Sequence, residues 1–61
     1  MNDRPIPKKI FIQTVKDTSI FKSSEYTWKI YDDMVVVQSK DRRRKYYFPF
    51  RYIVECYEEY R

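Results

Sequence analysis

The 61-residue sequence contains no glycine, no alanine, no leucine and no histidine. Histidine is the side chain whose unperturbed pKa lies nearest neutrality, so its absence removes the commonest general base. Without glycine there is no glycine-rich phosphate loop. Without alanine and leucine the chain lacks the strongest ordinary helix formers. These absences argue against an enzyme and against a helical fold.

Cysteine is nearly absent too, since Cys56 is the only one. A lone cysteine cannot form an internal disulfide, whereas small secreted domains usually carry several. No apolar run is long enough to span a bilayer, and the first residues lack the pattern of a secretory signal. We therefore expect a cytoplasmic protein that does not bind membranes. Cys56 has apolar neighbours and no imidazole partner, so we interpret it as an inert thiol in or beside the core.

Aromatic and β-branched residues dominate what is present. Tyr, Phe, Trp, Ile, Val and Thr make up 26 of the 61 residues, and these types are favoured on a pleated, half-buried surface. We predict a mainly β fold: a small four- to five-stranded antiparallel meander that forms an SH3-like barrel or a twisted sheet. Residues 1–8 are predicted to be an extended or flexible lead-in, and residues 9–61 a single domain.

Alternation of apolar residues locates the first strand over residues 9–16. Ile10, Ile12 and Thr14 share one of its faces. The next segment, 17–24, begins with a turn signal and is predicted to be a loop held by Ile20 and Phe21.

A second strand is predicted from Glu25 to Tyr31, because this segment alternates cleanly. Trp28 shares a face with Tyr26 and Ile30, and we interpret it as a core anchor. The alternative is an exposed ring in a ligand groove, as in peptide-binding SH3-like domains. The opposite ring set, Tyr31 together with Tyr47, is a better candidate for exposure.

Asp32 and Asp33 separate that strand from an apolar run over 34–38, which predicts a β-hairpin. Two neighbouring carboxylates raise the question of a metal site. Adjacent strand residues point to opposite faces, and no histidine or second cysteine supports the pair. We therefore interpret the two residues as a turn, and we predict no metal and no cofactor.

The C-terminal segment from Ile53 to Tyr60 fits two structures. Its β-branched start, Ile53-Val54, favours a strand. Its apolar spacing of i, i+3, i+4 and i+7 fits a short helix. We favour the strand. Residues 46–48 are aromatic and are predicted to be a strand. Pro49 is expected to end that strand or to lie on an edge, because it cannot donate a ladder hydrogen bond.

A run of cations is the sharpest local feature, since five of the six residues from 40 to 45 are Lys or Arg. Arginine forks fit phosphate oxygens, and exposed rings next to cations are typical of single-strand binding. The alternative is a solvated loop beside core aromatics, which would also discourage edge-to-edge aggregation. The candidate nucleic-acid-binding residues are Lys40, Arg42, Arg43, Arg44, Lys45, Tyr46, Tyr47 and Arg51.

The segment from Trp28 to Glu55 comprises a strand, a hairpin, a basic loop and an aromatic–Pro–x–x–x–Ile run. It resembles the hairpins of SH3-like and bacterial PH-like small β-barrels. The resemblance covers less than half of the chain. It implies a small barrel and assigns no functional residue.

The sequence therefore predicts a small non-enzymatic binding module that binds nucleic acid through a basic hairpin loop flanked by aromatics. The alternative is a small phage-type protein-interaction or inhibitor protein that docks on a host protein through a sheet edge or a Tyr-rich patch. The composition is rich in residues with AT-rich codons, which indicates a low-GC genome, and a very short reading frame of this kind is common in bacteriophages and mobile elements. A homodimer is a further expectation, because so small a core gains stability by burying an open sheet edge.

Overall fold

The computed structural model describes residues 6–60, and 62% of these lie in strands. This confirms the predicted mainly β class. The elements are β1 Lys9–Thr14, β2 Thr18–Lys22, β3 Tyr26–Ile30, β4 Met34–Ser39, β5 Lys45–Pro49, a 3-10 turn Phe50–Tyr52, and β6 Ile53–Glu59. Within the described part of the chain no helix has the length and apolarity needed to cross a membrane.

The strands form two antiparallel three-stranded sheets. The first sheet has the order β2-β1-β6 and the second has the order β3-β4-β5. Only residues 23–25 separate β2 from β3, so a three-residue connection links the first sheet to the second. β6 returns to pair with β1, which brings the two ends of the domain together. The small antiparallel architecture is as predicted.

The segment 17–24 differs from its predicted loop, because most of it is strand β2. This strand pairs with β1 in continuous register from Thr18 to Lys22. Its Phe21 is buried while the adjacent Ile20 is exposed. Two neighbouring apolar residues do not show the alternation of a strand, so the sequence pattern hid it. The strand count rises to six.

The core lies between the two sheets and is small. Phe21 is the centre of an aromatic cluster at one end of it, with Tyr26 and Tyr46 at ring-centroid distances of 5.0 and 5.3 Å. Trp28 packs against the core, as predicted for an anchor. The fully buried side chains are Ile10, Ile12, Val35 and Val37.

The C-terminal segment is a strand, as favoured, and it contains a β-bulge. Gln13 pairs with Glu55 and Thr14 with Ile53, so Val54 has no partner on β1. A bulge places two residues opposite one and shifts the alternation by one position. Ile53 and Cys56, three residues apart, therefore both pack against the core. This is the origin of the helix-like spacing in the sequence.

The predicted lead-in over residues 1–8 lies mostly outside the described residues. Of its described part, Lys8 is bound to the first sheet. The Lys8 N–H donates to the Glu59 carbonyl at 2.7 Å, and the Lys8 carbonyl accepts from the Ser23 N–H at 2.8 Å. Lys8 therefore continues the β1–β6 ladder by one step.

Candidate nucleic-acid interface

The basic loop between β4 and β5 is a well-bonded turn. The Asp41 carboxylate accepts from the Ser39 hydroxyl at 2.6 Å and from the Arg43 N–H at 3.0 Å. These two hydrogen bonds hold the pKa of Asp41 below its ordinary value of 3.8. Arg42 takes a left-handed φ of 64° at the tip, and the Arg44 N–H donates to the Ser39 hydroxyl oxygen at 3.0 Å. The turn thus presents its cations from a defined backbone.

The side chains of the basic and aromatic run alternate between the two faces of the second sheet. Tyr46 points inward and contacts Phe21 of the core. Interaction with the Tyr46 side chain raises the pKa of the Arg44 guanidinium, and Arg44 lines a depression together with Glu25 and Tyr26. Tyr47 points outward and is 59% exposed, and the Lys45 ammonium lies over its ring, 5.6 Å from the centroid.

The outward side of the second sheet forms one shallow groove. Two cation–tyrosine pairs lie on it, since the Lys29 ammonium is also 5.9 Å from the Tyr31 ring centroid. We call this surface the outer face of the second sheet. Its residues, from the strand register and the groove lining, are Thr27, Lys29, Tyr31, Met34, Val36, Gln38, Lys45 and Tyr47.

The charge on this face has one sign. Its two charged strand residues, Lys29 and Lys45, are both cations. The acidic residue that lines the groove, Asp33, belongs to the β3–β4 turn at its margin. The groove therefore suits an anionic ligand with flat apolar parts.

The two exposed rings are far enough apart to contact different groups of such a ligand. Tyr47 belongs to β5, and Tyr31 follows β3 on the other side of β4. Two strand spacings and a two-residue offset separate their backbones by about 12 Å. Val36 and Met34 of β4 form the apolar floor between the rings. One ring can therefore hold one base while the other holds a base further along a strand.

Arg51 is remote from the other predicted site residues. It lies in the 3-10 turn after β5, whereas the basic loop precedes β5, so the whole strand of roughly 17 Å separates them. Arg51 lies beside Asp32 and Asp33 in a separate depression, and its guanidinium is 5.1 Å from the Tyr52 ring centroid. This depression shares Asp33 and Met34 with the groove, so Arg51 lies past the Tyr31 end of the outer face and not in the groove lining.

Sequence reasoning singled out Lys45 and Tyr47 but missed Lys29. The signal for Lys29 was present, because it alternates with Tyr31 on the side of β3 opposite Trp28. The dense basic run is a far stronger pattern than a single lysine in a different strand. The cross-strand register that joins Lys29, Val36 and Tyr47 in one row is visible only in the fold.

Two features of residues 6–60 bear on metal binding and on nucleophilic chemistry. No cluster of three or more Cys, Asp or Glu side chains is arranged to hold a metal ion there. Burial, together with the nearby Glu58 carboxylate, raises the pKa of the Cys56 thiol above its ordinary value of 9.0. A protonated thiol is a poor nucleophile.

Comparison with known proteins finds no matching family, no matching curated protein and no matching solved structure. The function therefore has to follow from the geometry alone.

Proposed function

We propose that this chain binds single-stranded nucleic acid on the outer face of the second sheet, without strong sequence preference. Tyr31 and Tyr47 offer stacking surfaces for bases, and Lys29 and Lys45 lie beside them to meet phosphates. The observation that carries the proposal is the occurrence of two cation–tyrosine pairs in one groove whose strand residues include no carboxylate. Because every base has a π-face, such stacking tolerates any sequence.

The basic loop extends this surface beyond the end of the sheet. Lys45 begins β5 directly after the loop, so a strand leaving the groove there meets Arg42 and Arg43. Both are exposed and neither is in a salt bridge among the described residues. Each phosphate that they neutralise releases counterions, which adds affinity at low salt.

Single strands fit this surface better than duplexes do. In a duplex the bases stack on one another, so Tyr31 and Tyr47 would have no base faces to contact. A duplex could still meet the β4–β5 hairpin, since a two-stranded ribbon fits the major groove. That mode would use the basic loop and leave both tyrosines without a role.

Fluorescence anisotropy with a labelled oligothymidylate and a duplex of equal length tests the proposal. A length of about 15 nucleotides covers the site sizes of comparable single-strand binders. We expect the single strand to bind at least tenfold more tightly, with affinity falling as salt rises. Equal or tighter binding of the duplex would contradict the proposal.

Ring variants provide the second arm of this experiment. Tyr47→Ala removes one stacking surface, which is worth about 1–3 kcal/mol per base, or roughly a 5- to 150-fold loss in affinity. Tyr52→Ala is a matched control, because Tyr52 is also an exposed ring beneath a cation but lies outside the groove. Similar losses from the two variants would show that the groove is not the binding site.

Docking of another protein on the same face is the second candidate function. Tyr31, Tyr47 and Met34 are of the residue types enriched in protein interfaces. A protein partner would be retained after nuclease treatment, and the chain would show no binding to either oligonucleotide. The anisotropy titration therefore separates the two functions.

A further inference from the structure

The outer face of the first sheet carries an apolar row that no described residue covers. Ile20, Phe11 and Tyr57 are directly opposite one another on β2, β1 and β6. The Phe11 and Tyr57 rings are stacked at 4.9 Å with an interplanar angle of 19°. Ile20 is 54% exposed and Tyr57 is 46% exposed. The row therefore presents a flat, ordered apolar surface to solvent.

The charges around this row are arranged by strand. Lys22 lies on the β2 side of the face, and Glu55 and Glu59 lie on the β6 side. Lys9 of the central strand is paired with Glu59 at 3.3 Å. The β2 margin therefore carries one cation, Lys22, and the β6 margin carries two carboxylates, Glu55 and Glu59.

We propose that a second copy of this chain covers this face, with the two-fold axis parallel to the central strand β1. That rotation places β2 of one copy over β6 of the other. Lys22 then faces the partner's Glu59, and Ile20 faces the partner's Tyr57. Phe11 and Lys9 of the central strand meet their own counterparts on the axis, and the ion pair with Glu59 of the same chain offsets the Lys9 charge. An isologous interface requires such self-complementarity, and two sheets pack face to face with their strands within about 30° of parallel.

The charge pattern selects this face and this partner. Packing the outer face of the second sheet against itself would bring Lys29 and Lys45 of both copies together, and no carboxylate on the strands of that face would offset their repulsion. A partner with a single sign of charge would be repelled by one margin of the first-sheet face. A surface that suits both margins has negative charge opposite the β2 margin and positive charge opposite the β6 margin. The two-fold rotation of the same face provides this arrangement.

The dimer would leave both outer faces of the second sheets exposed on opposite sides. If the proposed function holds, a long single strand could engage both faces, and the effective concentration of the second site would raise its apparent affinity. Only this consequence rests on the proposed function. The dimer itself does not.

Sedimentation equilibrium of the protein alone, at low salt and over a range of concentrations, tests the dimer. Lys22→Glu would place a carboxylate opposite the partner's Glu59, and Glu59→Lys would place a lysine opposite the partner's Lys22. We expect each variant alone to have a dimer dissociation constant at least tenfold above that of the wild type. An equimolar mixture of the two variants restores opposite charges at both contacts, so we expect it to recover most of the wild-type affinity.

Two further variants make the outcome decisive. Ile20→Lys should abolish the dimer without unfolding the chain, because this side chain is more than half exposed in the monomer. Lys29→Glu makes the same charge change on the other sheet and should leave the dimer unchanged. A wild-type protein that stays monomeric at about 0.5 mM, far above a micromolar dissociation constant, would overturn the proposal. So would a dimer that Lys22→Glu and Ile20→Lys leave intact, since edge pairing would then explain it.

The test is independent of nucleic-acid binding. Oligonucleotide is absent from the sedimentation experiment, and the charge-reversed residues lie on the opposite side of the molecule from the groove. Failure of the dimer would leave single-strand binding unaffected. Conversely, loss of binding in a Tyr47→Ala variant would leave the dimer in place.

Discussion

The indole Nε1–H of Trp28 donates a 2.8 Å hydrogen bond to the Oε2 atom of Glu58. Trp28 belongs to β3 of the second sheet, and Glu58 belongs to β6 of the first. The bond therefore joins the two sheets next to the core. It also explains how a half-buried tryptophan satisfies its only polar atom, as buried indoles usually do.

Removing the acceptor of this bond should destabilise the fold. We expect Glu58→Ala to lower the free energy of unfolding by about 1–3 kcal/mol, because the indole donor is left unsatisfied in a half-buried position. Glu58→Gln keeps an acceptor oxygen and should cost less. Urea unfolding followed by Trp28 fluorescence measures both. Glu55→Ala is the control, since Glu55 is exposed on the same strand, and an equal cost at both positions would contradict a specific role for the bond.

Two isoleucines in adjacent strands provide a second prediction. Ile12 is fully buried between the sheets, whereas Ile20 is 54% exposed. Ile12→Ala should cost about 2–5 kcal/mol, which is comparable to the whole stability of a small domain, so we expect a largely unfolded variant. Ile20→Ala should change the stability of the dilute protein by less than about 0.5 kcal/mol. Urea unfolding and amide NMR dispersion check both, and similar costs would contradict the assigned sides of the first sheet.

Much of this arrangement could be predicted from alternation. The pattern around Ile10 and Ile12 identified the buried side of β1, because one face of that strand is uniformly apolar. It failed for β2, where Ile20 and Phe21 are adjacent and no alternation is visible. It was ambiguous for β6, because the bulge at Val54 gives Ile53 and Cys56 a spacing that also suits a helix. Bulges and register depend on the partner strand, which the local sequence does not contain.

The candidate site was predictable only in part, for a related reason. The basic run indicated that Lys45 and Tyr47 lie near one another, since residues two apart in a strand share a face. The same rule separates Tyr46 from Tyr47, and Tyr46 packs against the core. The contribution of β3 arises from pairing across β4. That long-range pairing brings Lys29 and Tyr31 to the same groove.

The basic loop should respond to acid through Asp41. Its pKa is held below 3.8 in the folded chain by the Ser39 hydroxyl and the Arg43 N–H, with the Arg44 charge adding to the effect. A carboxyl group whose pKa is lowered by folding stabilises the folded loop at pH values above its pKa in the unfolded chain. This contribution is lost as the pH falls through its pKa in the folded chain. We therefore expect the Arg43 amide resonance to titrate with a midpoint below 3.8. Asp41→Asn retains an acceptor oxygen and should abolish the titration. A midpoint at or above 3.8 would contradict the hydrogen-bonded turn.

Salt dependence should separate the cations of the proposed interface from its rings. Arg42→Asn removes a charge but suits the left-handed φ of 64° at the loop tip, since asparagine tolerates that conformation. We expect this change, and Lys45→Gln, to reduce the slope of log affinity against log salt by about 0.7 for each phosphate of a single strand that is no longer neutralised. Tyr47→Ala should weaken binding at every salt concentration without changing the slope, because stacking releases no counterions.

Arg51→Gln is the control for this prediction. Arg51 is also an exposed arginine near an exposed tyrosine, but it lies at the other end of β5, beside Asp32 and Asp33. Its replacement should leave the affinity unchanged. The slope of log affinity against log salt should change by less than about 0.2, which is a fraction of the effect of one phosphate. If Arg51→Gln reduced the slope as much as Arg42→Asn does, the bound strand would extend past Tyr31 and Asp33 to the 3-10 turn, which would contradict an interface that ends at the groove lining.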